Sequence, residues 1–157
     1  MTALYREHAL SLIRLAHIVL GGRAGAEDVV HDAFCGLYRR WEHVTNKDRA
    51  LAYVRTSVLN GCRSALRSGR ARDVGLDEYQ PTVISAEAEA LDLEERREVV
   101  AALRRLPERQ REILVLRYYL DLPDLQIAND LGLKPSTIRS IRHRALASLE
   151  RSLGGTP

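Results

Sequence analysis

Apolar residues recur at intervals of three and four along nearly the whole chain, and the strict alternation of a half-buried strand is nowhere convincing. A period near 3.6 leaves one kind of solution, helices packed on helices, and the expected fold class is all-α. Leu4, Ala9, Leu12, Ile13, Ala16, Val19 and Leu20 form a first stripe, which Gly21-Gly22 ends. A second starts near Ala24 to Ala26 and carries Val29, Val30, Ala33, Phe34, Leu37, Tyr38 and Trp41. Glu27 and Asp28 fall in its first turns, where acids suit the helix dipole. The polar stretch from Glu42 to Arg49 reads as a loop. A third stripe joins Ala50, Leu51, Val54, Val58, Leu59, Cys62 and Leu66, with Arg55, Asn60, Arg63 and Arg67 on the polar side and a basic face running on to Arg70 and Arg72.

Residues 73–91 break the pattern. Gly75, Pro81 and five acids, with Leu76 and Tyr79 isolated among them, are linker composition; the acids are read first as keeping that linker solvated and, as the alternative, as shielding a basic surface before DNA binds. Helical spacing returns from Leu91 through Leu93, Val99, Val100, Ala102, Leu103 and Leu106. Pro107 then suits the first turn of a helix carrying Ile113, Leu114, Val115, Leu116 and Tyr118, and Asp121 to Pro123 makes the next break. Two more helices follow closely. The expected organisation is two small helical domains, residues 1–72 and 92–153, joined by an acidic linker over 73–91, each barely large enough for its own core.

Charge becomes informative once divided along this frame. The whole 157-residue chain carries only +3, but residues 1–70 hold 11 Lys+Arg against 6 Asp+Glu, residues 71–100 hold 3 against 9, and residues 101–157 hold 10 against 6. Two basic blocks therefore flank an acidic spacer, and 22 of the 24 cations are arginine. The planar arginine fork donates paired hydrogen bonds to phosphate and guanine, so this division points to nucleic acid more than the total does. No apolar run reaches the roughly 18 residues of a membrane span, so no membrane association is expected. The first residues carry no charged-then-apolar leader, and Cys35 and Cys62 suggest no disulfide framework; a cytoplasmic location is expected.

The run from Leu125 to Arg139 is the most informative in the chain. A helix-turn-helix wants a small residue where its helices cross, a turn residue tolerant of positive φ, and an apolar anchor in the second helix. Ala128, Gly132 and Ile138 supply these at the spacing of four then six that the motif requires. On a wheel, Ile138, Ile141, Ala145, Leu146 and Leu149 face inward. Ser136, Arg139, Ser140, His143, Arg144 and Ala147 face outward, with no acid among them. Early residues of such a helix enter the major groove, where arginine pairs with guanine and serine meets base or phosphate. Arg142, at the rim, is expected at a phosphate.

With those residues in place, the chain resembles a bacterial extracytoplasmic-function (ECF) sigma factor of the sigma-70 family, in particular the short actinobacterial SigE type, over roughly residues 3–70 and 93–152. Ala26-Glu27-Asp28-Val29-Val30-His31-Asp32-Ala33-Phe34 resembles region 2.2, though His31 stands where glutamine is usual. Leu37 to Trp41 continues it, and Ala52-Tyr53-Val54-Arg55 with Asn60 resembles region 2.4. Leu106 to Tyr119 is similar to the region 4 signature, and Thr137-Ile138-Arg139-Ser140 with Arg144-Ala145-Leu146 to its recognition helix; Ile141 replaces a commonly polar residue. The resemblance implies a protein that binds core RNA polymerase, directs it to a promoter and helps melt the DNA. It implies −35 contacts from Ser136, Thr137, Arg139, Ser140, Arg142, His143 and Arg144. It places Glu27, Asp28, His31 and Asp32 on the clamp coiled coil of the β′ subunit, with the β flap as a further polymerase contact. It implies that Asn46, Lys47, Arg49, Arg55, Asn60, Arg63 and Arg67 hold the single-stranded −10 element. A flipped base there costs a few kcal/mol of stacking, which a pocket must return. Trp41, at the end of an apolar stripe, is read as core rather than as a melting wedge. An anti-sigma protein is a further partner to allow for, and no obligate homo-oligomer is expected.

Rival readings have less to stand on. No phosphate loop, nucleophile elbow or catalytic carboxylate pair is found, so the chain is expected not to be an enzyme. His31 and Cys35 stand at i and i+4, but a single ligand pair is too few for structural zinc, so no metal or cofactor is expected. A dimeric helix-turn-helix regulator explains residues 101–152 and leaves the basic third helix and the region 2.2-like segment unexplained. An interaction module such as an anti-sigma partner fits poorly with the arginine-rich exposed faces.

Overall fold

The computed structural model describes residues 2–69 and 93–154, and the acidic linker expected at 73–91 lies outside the described residues. The described chain is helical, with no strand. Helix α1 (Thr2–Val19) ends where Gly21 and Gly22 take positive φ. Helix α2 (Ala26–Arg39) follows, with Glu27 and Asp28 in its first turn and a 3₁₀ turn over Trp41–His43 after it. Helix α3 spans Lys47–Ser68. In the second block come α4 (Leu93–Arg105), α5 (Glu108–Leu114), α6 (Asp124–Leu131) and α7 (Pro135–Leu153).

Two local features differ from the sequence expectation. Helix α3 starts three residues before Ala50, because the Asn46 side chain accepts a hydrogen bond from the Asp48 backbone N–H at 2.9 Å and caps the helix. The polar stretch read as a loop is thus mostly a 3₁₀ turn and a helix start. After α5 the helix widens into a π turn over Val115–Tyr119, which closes on Leu120. Asp121 then takes a positive φ of 55°, and Pro123 precedes α6. Pro107 stands immediately before the first turn of α5.

The first block is a three-helix bundle. Leu12, Leu15 and Val19 of α1, Val30, Phe34 and Leu37 of α2, and Val54, Val58 and Leu59 of α3 are buried together, and Trp41 packs at the edge of that core. Gly61 lets α3 approach α2 closely, since a Cβ there would sit 2.8 Å from Val29. The second block does not keep a separate interior. Ile113, Leu116, Ile127 and Ile138 join the same cluster as the first-block residues, with α1 against α4, α5 and the π turn, and α3 against α6. Leu103, Leu106, Leu114 and Ala145 form a smaller cluster, on which Ile18 of α1 also packs.

Candidate nucleic-acid interface

Helices α6 and α7 form the expected helix-turn-helix. Ile127 and Ala128 are buried on α6, and Ile138 and Ala145 on α7. Gly132 ends α6 at φ 68°, a left-handed conformation that costs most other residues about 1 kcal/mol or more. Its turn is closed by the Leu133 N–H donating to the Ala128 carbonyl at 3.0 Å. Lys134 takes an extended conformation and Pro135 begins α7 at the position where a proline costs no hydrogen bond.

The outward face of α7 has the predicted composition. Ser136, Arg139, Ser140, His143, Arg144 and Ala147 are exposed, and Thr137 is half-buried. Arg142 is not left as a free rim cation. Its Nε and Nη2 donate to the two Asp124 oxygens at 3.1 and 2.8 Å, a bidentate pair tying the middle of α7 to the start of α6. Those hydrogen bonds hold the Asp124 carboxyl below its ordinary value, and they hold Arg142 in its charged form.

Helix α3 carries the second set of predicted DNA residues. At about 100° per residue, Arg49, Asn60, Arg63 and Arg67 fall on one side and Arg55 falls on another. Arg49, Asn60 and Arg67 are exposed. The Lys47 side chain lies outside the described residues. Asn46 is exposed, and its Oδ1 is engaged in the cap of α3. Asn46 and Arg49 line a cleft of about 260 Å³ with Leu37, Arg40, His43 and Tyr53, and the Arg40 guanidinium lies 5.7 Å over the Tyr53 ring. The cleft combines an aromatic ring, an amide and guanidinium groups, which can stack on and hydrogen-bond to a planar ring.

Arg55 and Arg63 are not free. Arg63 donates to both oxygens of Glu112 at 2.9 and 2.8 Å and to Asn60 Oδ1 at 2.7 Å. Glu112 is fully buried, and Arg109 also reaches it at 3.4 Å. The hydrogen bonds to Glu112 raise the Arg63 value further above its ordinary one. Arg55, only 8% exposed, meets Asp130 at 3.2 Å, and Asp130 also accepts from Gln126 at 2.8 Å. A third link between the blocks is Arg111, whose Nε donates to the Val19 carbonyl at 2.9 Å and whose Nη1 donates to the Arg104 carbonyl. Burial pushes the Arg111 value down.

Glu112, Asp130 and Arg111 were outside the predicted sites. A signal for Glu112 is in the sequence: it stands directly before the apolar run Ile113 to Leu116 and four residues before Leu116, so it shares a helix face with that residue. Nothing local marks Asp130, whose partner is 75 positions away.

The residues of α2 proposed from the resemblance lie on its outer face. Glu27, Asp28, His31 and Asp32 are all exposed, opposite buried Val30, Ala33 and Leu37. Asp28 and Asp32 rim a groove of about 300 Å³ between α2 and α3, floored by small residues including Ala33, Gly36 and Gly61. His31 Nε2 and Cys35 Sγ are 3.5 Å apart, and among the described residues no group of three metal-ligating side chains assembles. Cys62 is buried, and desolvation pushes its thiol up to about 12, far from reactivity. No helix of the described residues is long and apolar enough to cross a membrane.

Known proteins supply a context for this geometry. The family Sigma-70 region 2 matches residues 4–72, and Sigma-70, region 4 matches residues 96–149. The ECF RNA polymerase sigma factor SigL of Mycobacterium tuberculosis is 33% identical over 159 residues, covering 98% of this chain and 88% of that protein. The RNA polymerase sigma-E factor of Streptomyces coelicolor is 27% identical over 143 residues, covering 91% of this chain and 80% of that protein. The sigma factor RpoE of Bartonella quintana, solved in complex with the anti-sigma factor NepR, has the same fold, with a TM-score of 0.72 over 98% of both chains at 22% identity.

Proposed function

Because the chain belongs to the ECF RNA polymerase sigma factors of the sigma-70 family, we propose that it brings core polymerase to promoters by reading a −35 element with α7 and holding the melted −10 strand on α3. One observation carries this reading: Arg139, Ser140, His143 and Arg144 share an exposed, acid-free face of a helix anchored from beneath by Ile138 and Ala145. Arginine and serine on such a helix have the reach to base edges, with Ser136 and Thr137 at its start near the phosphates. Arg142 orients the helix through Asp124.

At the −10 element, Asn46 and Arg49 serve the cleft beside Tyr53, where a base flips out of the stack, and Lys47 is a further proposed contact to the strand. Asn60 and Arg67, with Arg55 and Arg63 once released from their carboxylates, follow the strand backbone. Glu27, Asp28, His31 and Asp32 dock on a basic surface of the β′ clamp, and the second block contacts the β flap. The domain limits proposed are residues 1–72 and 92–153 with a linker over 73–91. The chain acts in the cytoplasm as a specificity subunit without catalysis, cofactor or obligate homo-oligomer. By the company of its Bartonella fold relative, an anti-sigma factor is among its proposed partners.

A pull-down with core polymerase followed by run-off transcription tests the reading. Stable capture and promoter-dependent transcripts are expected. Strong binding to an isolated palindromic duplex, with no polymerase capture and no initiation, would replace it with a dimeric regulator.

A further inference from the structure

The structure treats the two proposed DNA-binding faces unequally. The −35 face of α7 is open, whereas Arg55 and Arg63 of α3 are held by carboxylates from the other block, Asp130 of α6 and Glu112 of α5. Glu112 engages Arg63 through both oxygens, as a phosphate edge would, and Asp130 meets Arg55 through one oxygen at 3.2 Å, so each acid occupies a guanidinium that a backbone phosphate could take. We propose that the chain by itself holds a half-closed state in which Glu112 and Asp130 stand in for promoter phosphates, leaving duplex reading available while strand binding waits for the second block to release α3. This rests on the assignment of Arg55 and Arg63 to the −10 strand.

The closed state has enough contacts to be populated. Arg63 makes a bidentate pair with a fully buried Glu112, and Arg111 reaches the Val19 carbonyl from the other side of the junction. Leu116, Ile127 and Ile138 extend the first block's apolar core. It also has a built-in weakness. Arg55 Nε is buried with no hydrogen-bond partner among the described residues, and a buried unsatisfied donor costs free energy that an opened form recovers in water. Buried ion pairs recover little beyond their own desolvation, so phosphates that satisfy the same guanidinium groups without burying a carboxylate compete effectively. The strand therefore acts as the opener. Its binding and the closed packing exclude each other because they use the same nitrogen atoms.

The test uses the full chain and its Asp130→Asn, Glu112→Gln and doubly substituted forms. Affinity is read by anisotropy with a fluorescent mixed-sequence single-stranded 20-mer and with a duplex of the same composition, and overall dimensions by small-angle scattering. If most of the unmodified chain is closed, apparent strand affinity is reduced by the open fraction. The substitutions are then expected to tighten strand binding about 3- to 10-fold, expand the chain, and leave duplex binding within about twofold. A fold check by circular dichroism accompanies Glu112→Gln. Should that variant fail to fold, the unmodified chain still decides: saturating strand must enlarge it. A strand that binds with no change of dimensions, together with variants as compact as the parent, overturns the closed state. Variants that expand without tightening on the strand instead overturn the assignment of Arg55 and Arg63 to the −10 element.

Discussion

At the scale of single residues, the recognition helix separates side chains that look alike in sequence. Arg139 and Arg144 project from the exposed face, and Arg142 between them is paired with Asp124. Arg139→Ala and Arg144→Ala are each expected to weaken binding at the −35 element by about 1–3 kcal/mol while polymerase capture stays unchanged; loss of capture would point to misfolding or a wrong assignment. Arg142→Ala is expected to behave differently. A lost phosphate contact lowers the slope of log affinity against log salt by about 0.9, and this variant should leave that slope unchanged. Its effect belongs to stability, on the order of 1 kcal/mol for a bidentate but partly exposed pair. The same pair sets an acid dependence. Asp124 ionises more readily in the native state than in the unfolded chain, so its contribution is whole above the ordinary value of 3.8 and is lost as the pH falls below it. An acid titration of stability should be shallower below that point in Arg142→Ala. The exposed set was legible because a 3.6-residue period sorts inside from outside. The pairing of Arg142 was not, because its carboxylate lies 18 positions away and a helical wheel says nothing about a neighbouring helix.

At the scale of elements, termini carry most of what could be read and most of what could not. The Ala128, Gly132 and Ile138 spacing predicts the helix-turn-helix, since only a residue at ease with φ 68° closes that turn. Pro107 and Pro123 correctly mark two helix starts, each one position before the first turn. The start of α3 was misplaced because Asn46 has two chemistries in one side chain: it suits a base edge and it suits a cap, and the cap is what forms. The π turn at Val115–Tyr119 has no sequence signature; the stretch packs against α1. On α2, the exposed Glu27, Asp28 and Asp32 with His31 form one surface and not four independent residues. Reversing Asp28 and Asp32 together to arginine is expected to weaken polymerase capture strongly while leaving promoter choice unaltered. Transcription from different promoters falling by different factors would contradict that division of labour between α2 and α7.

At the scale of the whole molecule, two basic blocks were legible and their shared interior was not. Periodicity reports which face of a helix is apolar, and an apolar face looks the same whether its partner is 10 or 100 positions away. Glu112 is the exception that hinted at it, a fully buried carboxylate that takes the local Arg109 at 3.4 Å and the distant Arg63 at 2.8 Å. Whether the blocks are energetically one unit can be measured with the single tryptophan. Trp41 belongs to the first block and packs on its core, and Leu116, fully buried, belongs to the second. If the cores were independent, removing Leu116 methyl groups would leave the unfolding of the tryptophan's surroundings where it was. Because the two share one cluster, Leu116→Ala is expected to destabilise by about 2–5 kcal/mol and to move the urea midpoint reported by Trp41 fluorescence together with the midpoint reported by helix content. Two transitions in the variant, with the Trp41 midpoint unmoved, would show that the junction adds nothing to the stability of the first block. A common shift of both midpoints shows that the packing around Leu116 is coupled to the first block's core, which links this junction to the order in which the two DNA faces become available.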